Sequence, residues 1–206
     1  MSMEKHIYFE SKLERWSDIF RLSPVFMNKF IFRGQGSAEW ELSSSLERSI
    51  KKLYPYNIDT ALYPLEEKEL LKEFKWKYPL YSNSQPENSD DIEWLTIMQH
   101  YSAPTRLLDI TNSLFVAVYF ALADMSGKNA AIWAINKHQI NSDIFHRYRL
   151  MHDVKGVAQD ILDKEALNQA NEIILDHSFE KEYKPSLFLI KPKRPNERIS
   201  RQQGAF

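Results

Sequence analysis

The sequence contains no cysteine. Disulfides and thiolate chemistry are therefore excluded, which fits a reducing compartment. Long apolar runs are missing too, and nothing approaches the roughly eighteen consecutive residues that a membrane span needs. The first twenty residues interleave Glu4, Lys5, Glu10, Lys12, Glu14 and Arg15 with apolar positions, which is not the pattern of a secretory leader. A cytoplasmic chain with no membrane partner is the expectation. An excess of one charge is absent as well. The 27 Lys and Arg against 28 Asp and Glu leave a formal net charge of -1, so a nucleic-acid partner would have to be held by a local basic patch. There is no phosphate-binding Walker loop, no nucleophile elbow and no His-Glu-x-x-His. The six histidines do not fall at metal-ligand spacing. His100 with Asp109 could supply two ligands, but two residues do not make a site, and no metal is expected. Repeats and low-complexity tracts are also absent.

What is present is the composition of a folded domain. Hydrophobic residues make up 43% and charged residues 27% of 206, enough for one domain with its own core. The 13% aromatic share, with five Trp and ten Tyr, can serve a core, a stacking pocket or a partner surface.

Periodicity predicts a mixed α/β order. Residues 11–22 place Leu13, Trp16 and Ile19 or Phe20 on one helical face. Ser11 and Glu14 form a capping box there, and Pro24 ends the helix. Phe26 to Arg33 reads as a strand broken by Gly34 and Gly36. Residues 65–78 form an amphipathic helix with Leu70, Leu71 and Phe74 inward and Glu66, Glu67, Lys68 and Lys75 outward. Residues 82–91 are a polar loop, and Asp90 or Asp91 caps a helix from Ile92 to about His100. Pro104 interrupts, and Thr105 to Asp109 reads as a short strand. Asn112 or Ser113 caps a helix over Leu114–Asp124, apolar nearly all round and expected to be buried on most sides. Gly127 closes it, and Ala130 to Asn136 is the best strand in the chain. Residues 156–176 read as helix, Ser186 to Ile190 as strand, and Ile199 to Phe206 as a last strand or the start of a longer one.

Three places carry polar groups in an apolar frame. Arg33, at a strand end before Gly34, can project its planar fork toward a phosphate or carboxylate, and Gly34 permits close approach to the backbone. The alternative is a structural arginine on a buried acid. The second place is Gln99-His100-Tyr101 with Thr105 to Thr111, where Arg106 and Asp109 are expected to form an inner structural pair. The third, Arg198 to Gly204, is either a site strand or a charged strand edge that discourages pairing.

Phe32-Arg33-Gly34, Gln99-His100-Tyr101 with Pro104 to Asp109, the Val116–Ala121 helix and the closing Arg198-x-x-x-Gln-Gln-Gly-x-Phe206 together resemble the FRG domain family, which is bacterial and phage-rich. The resemblance covers about residues 25–125 and 186–206. It implies a single FRG-type domain over 1–206, with its core at about 25–136 and 186–206 and a helical insertion at 137–185.

The element order also resembles the ADP-ribosyltransferase fold: α+β, with a small, mostly antiparallel, split sheet flanked by helices. Phe-Arg-Gly stands at that fold's Arg-Gly strand, Asp109-Ile110-Thr111 at its Ser-Thr-Ser strand, and Ala117–Ala121 at the helix that follows. This likeness implies NAD as cofactor and ADP-ribose transfer to a protein or nucleic-acid acceptor, in a toxin or phage-conflict setting. Arg33 would hold the phosphates and Gly34 the nicotinamide amide. Gln99, His100 and Tyr101 would line the pocket mouth, and Asp109 and Thr111 would orient the ribose. That fold's catalytic glutamate has Gln203 in its place here. A neutral amide can hydrogen-bond a ribose but supplies no negative charge to an oxocarbenium-like transition state. Two classes therefore stand: a transferase-like enzyme using Arg33, His100, Asp109 and Gln203, and a non-catalytic module that recognises a nucleotide, nucleic acid or protein.

Overall fold

The computed structural model describes residues 9–26, 28–55, 62–123, 127–140, 189 and 204–205. Along the described residues the elements follow in the order α1 (Trp16–Phe26), β1 (Phe30–Gln35), α2 (Ser45–Leu53), α3 (Leu62–Lys77), the 3-10 turn Tyr78–Leu80, α4 (Asp91–His100), β2 (Ile110–Thr111), α5 (Leu114–Ala123), β3 (Ala131–Asn136) and β4 (Gly204–Ala205). The strands form one antiparallel sheet in the order β3-β1-β2-β4. The fold is therefore α+β with a small antiparallel sheet, as expected. Among the described residues no helix is long and apolar enough to cross a membrane.

β1 is an inner strand of this sheet and sorts the molecule into two sides by its period of two. Phe30, Phe32 and Gly34 turn to one side, where α1 and α5 lie. Phe26 of α1 stands 4.8 Å from Phe30 and 6.2 Å from Phe32, ring centre to ring centre, and Phe20 stands 5.6 Å from Phe115 of α5. Ile31, Arg33 and Gln35 turn to the other side. The main apolar cluster sits between α3, the 3-10 turn and α4, and holds Leu71, Tyr78, Ile92, Trp94, Leu95, Met98 and Leu107.

Gly34 explains how α5 sits. A Cβ at this position would fall 1.9 Å from the carbonyl oxygen of Ala117 and 2.7 Å from the amide nitrogen of Ala121. The helix meets the strand through small residues spaced four apart, backbone nearly on backbone. An approach this close has no room for large side chains. Ala117, Val118 and Ala121 are buried, whereas Phe115, Tyr119, Phe120 and Leu122 are exposed. The expectation that α5 is buried on most sides is thus corrected.

Other expectations shift for local reasons. The first helix starts at Trp16 and runs through Pro24. Its start is capped by the Asp18 carboxylate, which accepts from the amides of Glu14 and Arg15, and not by a Ser11–Glu14 box. Ile19 is buried, while Leu13, Trp16 and Phe20 are exposed. Asn28, in the left-handed region at φ 63°, turns the chain into β1, so the strand begins at Phe30 and carries Gly34 inside it. Glu67, placed outward by periodicity, is buried. Lys75, also placed outward, is half-buried and donates to Asp91 and to the carbonyl of Asn88.

Thr105 to Asp109 is not a strand; the strand is Ile110–Thr111. The backbone of this stretch is satisfied by side chains instead. Thr105 N–H donates to Ser45 Oγ at 3.0 Å, Arg106 N–H to Glu67 Oε1 at 3.0 Å, and Leu107 N–H to Thr105 Oγ1 at 3.3 Å. Ser113 caps α5, β3 lies at Ala131–Asn136 and Asp90 caps α4, all as the sequence predicts. The expected helix at 156–176 lies outside the described residues. So does most of the 137–185 insertion, and so does the strand at 186–190 apart from Leu189, which belongs to no element. Of the last expected strand, Gly204–Ala205 is described and pairs with β2.

Candidate functional site

Arg33 extends from the side of β1 opposite α5, over the start of β2. Its Nη1 donates to the backbone carbonyl of Asp109 at 2.6 Å. Its Nε is buried and has no hydrogen-bond partner. Burial pushes the guanidinium pKa down from its ordinary value, the Asp109 charge pushes it back up, and the nearby Arg48 adds a smaller push down. The residue stays a cation, since arginine does not lose its proton in proteins. Among the described residues no carboxylate lies in ion-pair range of Arg33.

The Asp109 side chain accepts from Gln99 Nε2 at 2.8 Å, and Gln99 Oε1 accepts from Thr105 Oγ1 at 2.6 Å. Gln99 is carried in the last turn of α4. That helix closes with a Schellman arrangement, in which Ala103 N–H returns to the Met98 carbonyl and Ser102 N–H to the Gln99 carbonyl, with Ser102 at φ 62°. The turn aims the following loop back across Gln99. Arg33, Gln99, Thr105 and Asp109 thus form one hydrogen-bonded cluster between β1, α4 and the loop leading to β2.

The structure separates other predicted residues from this cluster. Thr111 pairs directly with Phe32, so its side chain takes the α5 side of the sheet, away from Arg33. There it accepts from Ser113 N–H at 3.1 Å. The close approach that Gly34 permits is made by α5, which leaves no space at that face for a ligand. His100 is exposed at the end of α4, and Tyr101 leans on the aromatic cluster, 6.0 Å from Tyr78 and 6.2 Å from Phe74. Neither is hydrogen-bonded to Arg33. Gln203 lies outside the described residues; its neighbour Gly204 pairs with Thr111. Among the described residues no group of three or more His, Asp and Glu could hold a metal ion.

Arg106 finds a different acid from the one expected. Its Nε and Nη2 both meet the carboxylate of Glu67 on α3, whose side chain is 4% exposed. This two-pronged pair ties α3 to the loop that carries Asp109.

No sequence motif assigns a role to Gln35, Trp133 or Arg48. Gln35 shares the face of Arg33, accepts from Trp133 Nε1 at 2.7 Å and donates to the Glu41 carbonyl at 3.3 Å. Trp133 stands opposite Arg33 in the β1–β3 pairing. The period of two from Arg33 would have found Gln35. Trp133 needed the strand register, and Arg48 has no local signal at all.

The family model of the FRG domain matches residues 28–130, half of the chain, and the chain belongs to that family. No curated protein and no solved structure matches it. The matched span includes β1, the 99–109 segment and α5, and therefore all four members of the cluster.

Proposed function

We propose that this FRG domain binds NAD or a related nucleotide through its Arg33 cluster, as an ADP-ribosyltransferase-like domain. The observation that carries the reading is the state of Arg33. One Nη is fixed on a backbone carbonyl at 2.6 Å, and no carboxylate of the described residues lies in ion-pair range of the guanidinium. An arginine held on a strand by a carbonyl keeps its remaining donors and its full charge for an outside anion. A structural arginine would instead meet a carboxylate, as Arg106 does. The fit to NAD is divided. Arg33 suits a phosphate, while the face of Gly34 that would admit the nicotinamide end is filled by α5.

Binding without turnover is the second reading, and a specific observation favours it. The Asp109 carboxylate, the acid nearest the cluster, already accepts from Gln99, and the position of the expected glutamate is Gln203. Titration of the protein with NAD and with ADP-ribose tests the first reading. Saturable binding that Arg33→Ala abolishes is the expected result, and no binding of either compound would overturn it. Release of nicotinamide by the wild type but not by Arg33→Ala would exclude the non-catalytic reading.

A further inference from the structure

We propose that Arg48 of α2 is the second arm of the anion site, so that Arg33 and Arg48 together grip two linked phosphoryl groups, as in a pyrophosphate. The proposal rests on the anion-binding reading of Arg33 and names both a further binding residue and the ligand chemistry that needs it.

Two separate chains of contacts bring Arg48 to Arg33. The first starts on β1. Gln35, on the same face as Arg33, donates to the carbonyl of Glu41, and two residues on, the carbonyl of Ser43 accepts from Arg48 Nη1. The second runs through the site loop. Asp109 accepts from Arg33 and Gln99, and Gln99 accepts from Thr105. Thr105 in turn is locked to the start of α2: its N–H donates to Ser45 Oγ at 3.0 Å, and its carbonyl accepts from Ser45 Oγ at 3.1 Å and from Leu46 N–H at 3.1 Å. Ser45 and Arg48 are three apart on that helix and share a face. Arg48 is exposed, so a ligand can reach it.

The carboxylates around this place are turned to partners other than the two arginines. The acids nearest Arg48 in sequence, Glu41 and Glu47, both pair with Lys51, at 2.9 and 3.1 Å. Among the described residues neither Arg33 nor Arg48 has a carboxylate in ion-pair range. Yet the two are close enough that the charge of Arg48 weakens the hold of Arg33 on its proton. The Asp109 charge offsets part of this repulsion, but its carboxylate accepts from Gln99 and is outside ion-pair range of either guanidinium, so an anion bound between the two forks gains attraction from both. Each guanidinium is pinned by one backbone carbonyl and keeps further donors. Two such forks, arriving from separate segments, match the several oxygens and the multiple charge of a pyrophosphate better than a single carboxylate.

The test is calorimetric titration of the whole chain with inorganic pyrophosphate, inorganic phosphate and ADP-ribose, using the wild type, Arg48→Ala, Arg48→Lys and Arg33→Ala. The wild type is expected to bind pyrophosphate at least about tenfold more tightly than phosphate. Arg48→Ala removes that preference, Arg48→Lys keeps part of it, and Arg33→Ala weakens both anions. Equal pyrophosphate affinity in the wild type and Arg48→Ala would overturn the proposal, as would a wild type that does not prefer pyrophosphate. If Arg48→Ala does not fold, Arg48→Lys decides, since a point charge without the fork should lose several-fold in pyrophosphate affinity and unchanged affinity counts against the proposal. Pyrophosphate binding that depends on Arg48, with no binding of NAD or ADP-ribose, would sink the nucleotide reading and leave the clamp standing. ADP-ribose binding indifferent to Arg48 would do the reverse.

Discussion

The Arg33 guanidinium rests on the backbone carbonyl of Asp109, 2.6 Å away, while the Asp109 side chain is held from the other direction by Gln99 at 2.8 Å. One residue thus serves two partners with two different groups. The carbonyl fixes the arginine, and the Asp109 carboxylate, turned to Gln99, acts on Arg33 through its charge and not through an ion-pair contact. On the proposed reading, the remaining donors of Arg33 serve a bound anion.

Arg33→Lys separates charge from shape. Lysine keeps the positive charge but loses the fork that can hold the Asp109 carbonyl and an anion together. Charge-assisted hydrogen bonds contribute about 1.5–3 kcal/mol each, so affinity for ADP-ribose should fall on the order of tenfold or more in Arg33→Lys. Isothermal titration of both proteins at one salt concentration measures it. Equal affinities would mean that Arg33 acts as a bare charge.

Gly34→Ala should be the most damaging small substitution in the sheet. The added carbon would stand 1.9 Å from a backbone oxygen of α5, and a helix backbone cannot step aside as a flexible side chain can. Overpacking of a tight interior costs typically about 1–3 kcal/mol and sometimes more; a value at or above the top of that range is expected here. For a chain of this size each kcal/mol lowers the melting temperature by about 2–4 °C, so a fall of roughly 6 °C or more should appear in a thermal melt followed by circular dichroism.

Glu67→Ala tests the ion pair that joins α3 to the site loop. The Glu67 side chain is 4% exposed and that of Arg106 27%, so removing the acid takes the Glu67 carboxylate away from a largely buried cation and from the Arg106 N–H. Breaking a buried pair from one side costs about 3–5 kcal/mol, and the partial exposure of Arg106 places the expectation near the lower end. Urea unfolding with an unchanged slope and a lower midpoint is the expected record. Because the same loop carries Thr105 and Asp109, ADP-ribose affinity should fall with it.

Much of this architecture can be read along the chain, and what cannot has a common cause. Asp90 before α4, Ser113 before α5 and the apolar run of β3 are set by neighbours within four residues, so local pattern reaches them. Thr105 to Asp109 looks like a strand because its residues suit one, yet its amides are claimed by Ser45 and Glu67, 60 and 39 residues away. Glu67 sits in a polar stripe of α3, and only the arrival of Arg106 makes its burial tolerable. Thr111 and Arg33 both lie in polar interruptions of apolar strands. The register that pairs Thr111 with Phe32, and so puts it on the opposite face, is a tertiary fact. Arg33 stands out along the chain because an arginine beside a glycine in an apolar strand is unusual locally. Arg48 does not, because its surroundings are set entirely by what α2 is docked against.

The Lys51 pairs give a pH dependence of known sign. The hydrogen bond to Glu41, with help from Glu47, pushes the Lys51 pKa up to about 12, above the ordinary value of about 10.4. The stability it contributes is full below about pH 10.4 and is lost as pH rises through about 12. The same hydrogen bond holds Glu41 below its ordinary value, so the contribution of Glu41 is present above about pH 4.3 and fades as pH falls through its lowered pKa. The Lys51 and Glu41 side chains are 45% and 76% exposed, and solvent screening limits such pairs to about 1 kcal/mol or less. Lys51→Ala should therefore lower the melting temperature slightly near pH 7, and the gap to the wild type should narrow toward both extremes of pH. A gap that widens at alkaline pH would contradict the assignment.

Gln99→Glu asks whether the cluster depends on a neutral amide between Thr105 and Asp109. The present amide donates to Asp109 and accepts from Thr105. A carboxylate in its place can still accept from Thr105, but it faces Asp109 as a like charge across a hydrogen-bond distance, which is unfavourable in a half-buried setting. Gln99→Ala removes the bridge without adding that repulsion. At pH 7 the glutamate variant should be less stable than the alanine variant, by about 1 kcal/mol or more on the scale of close charge pairs at a protein surface. At a pH low enough to protonate one of the two acids, the order should reverse, because a shared proton rebuilds the bridge. Urea midpoints of both variants at pH 7 and pH 4 decide it. An order that does not change with pH would show that Gln99 only fills space, and that the Asp109 carboxylate does not depend on the amide for its orientation.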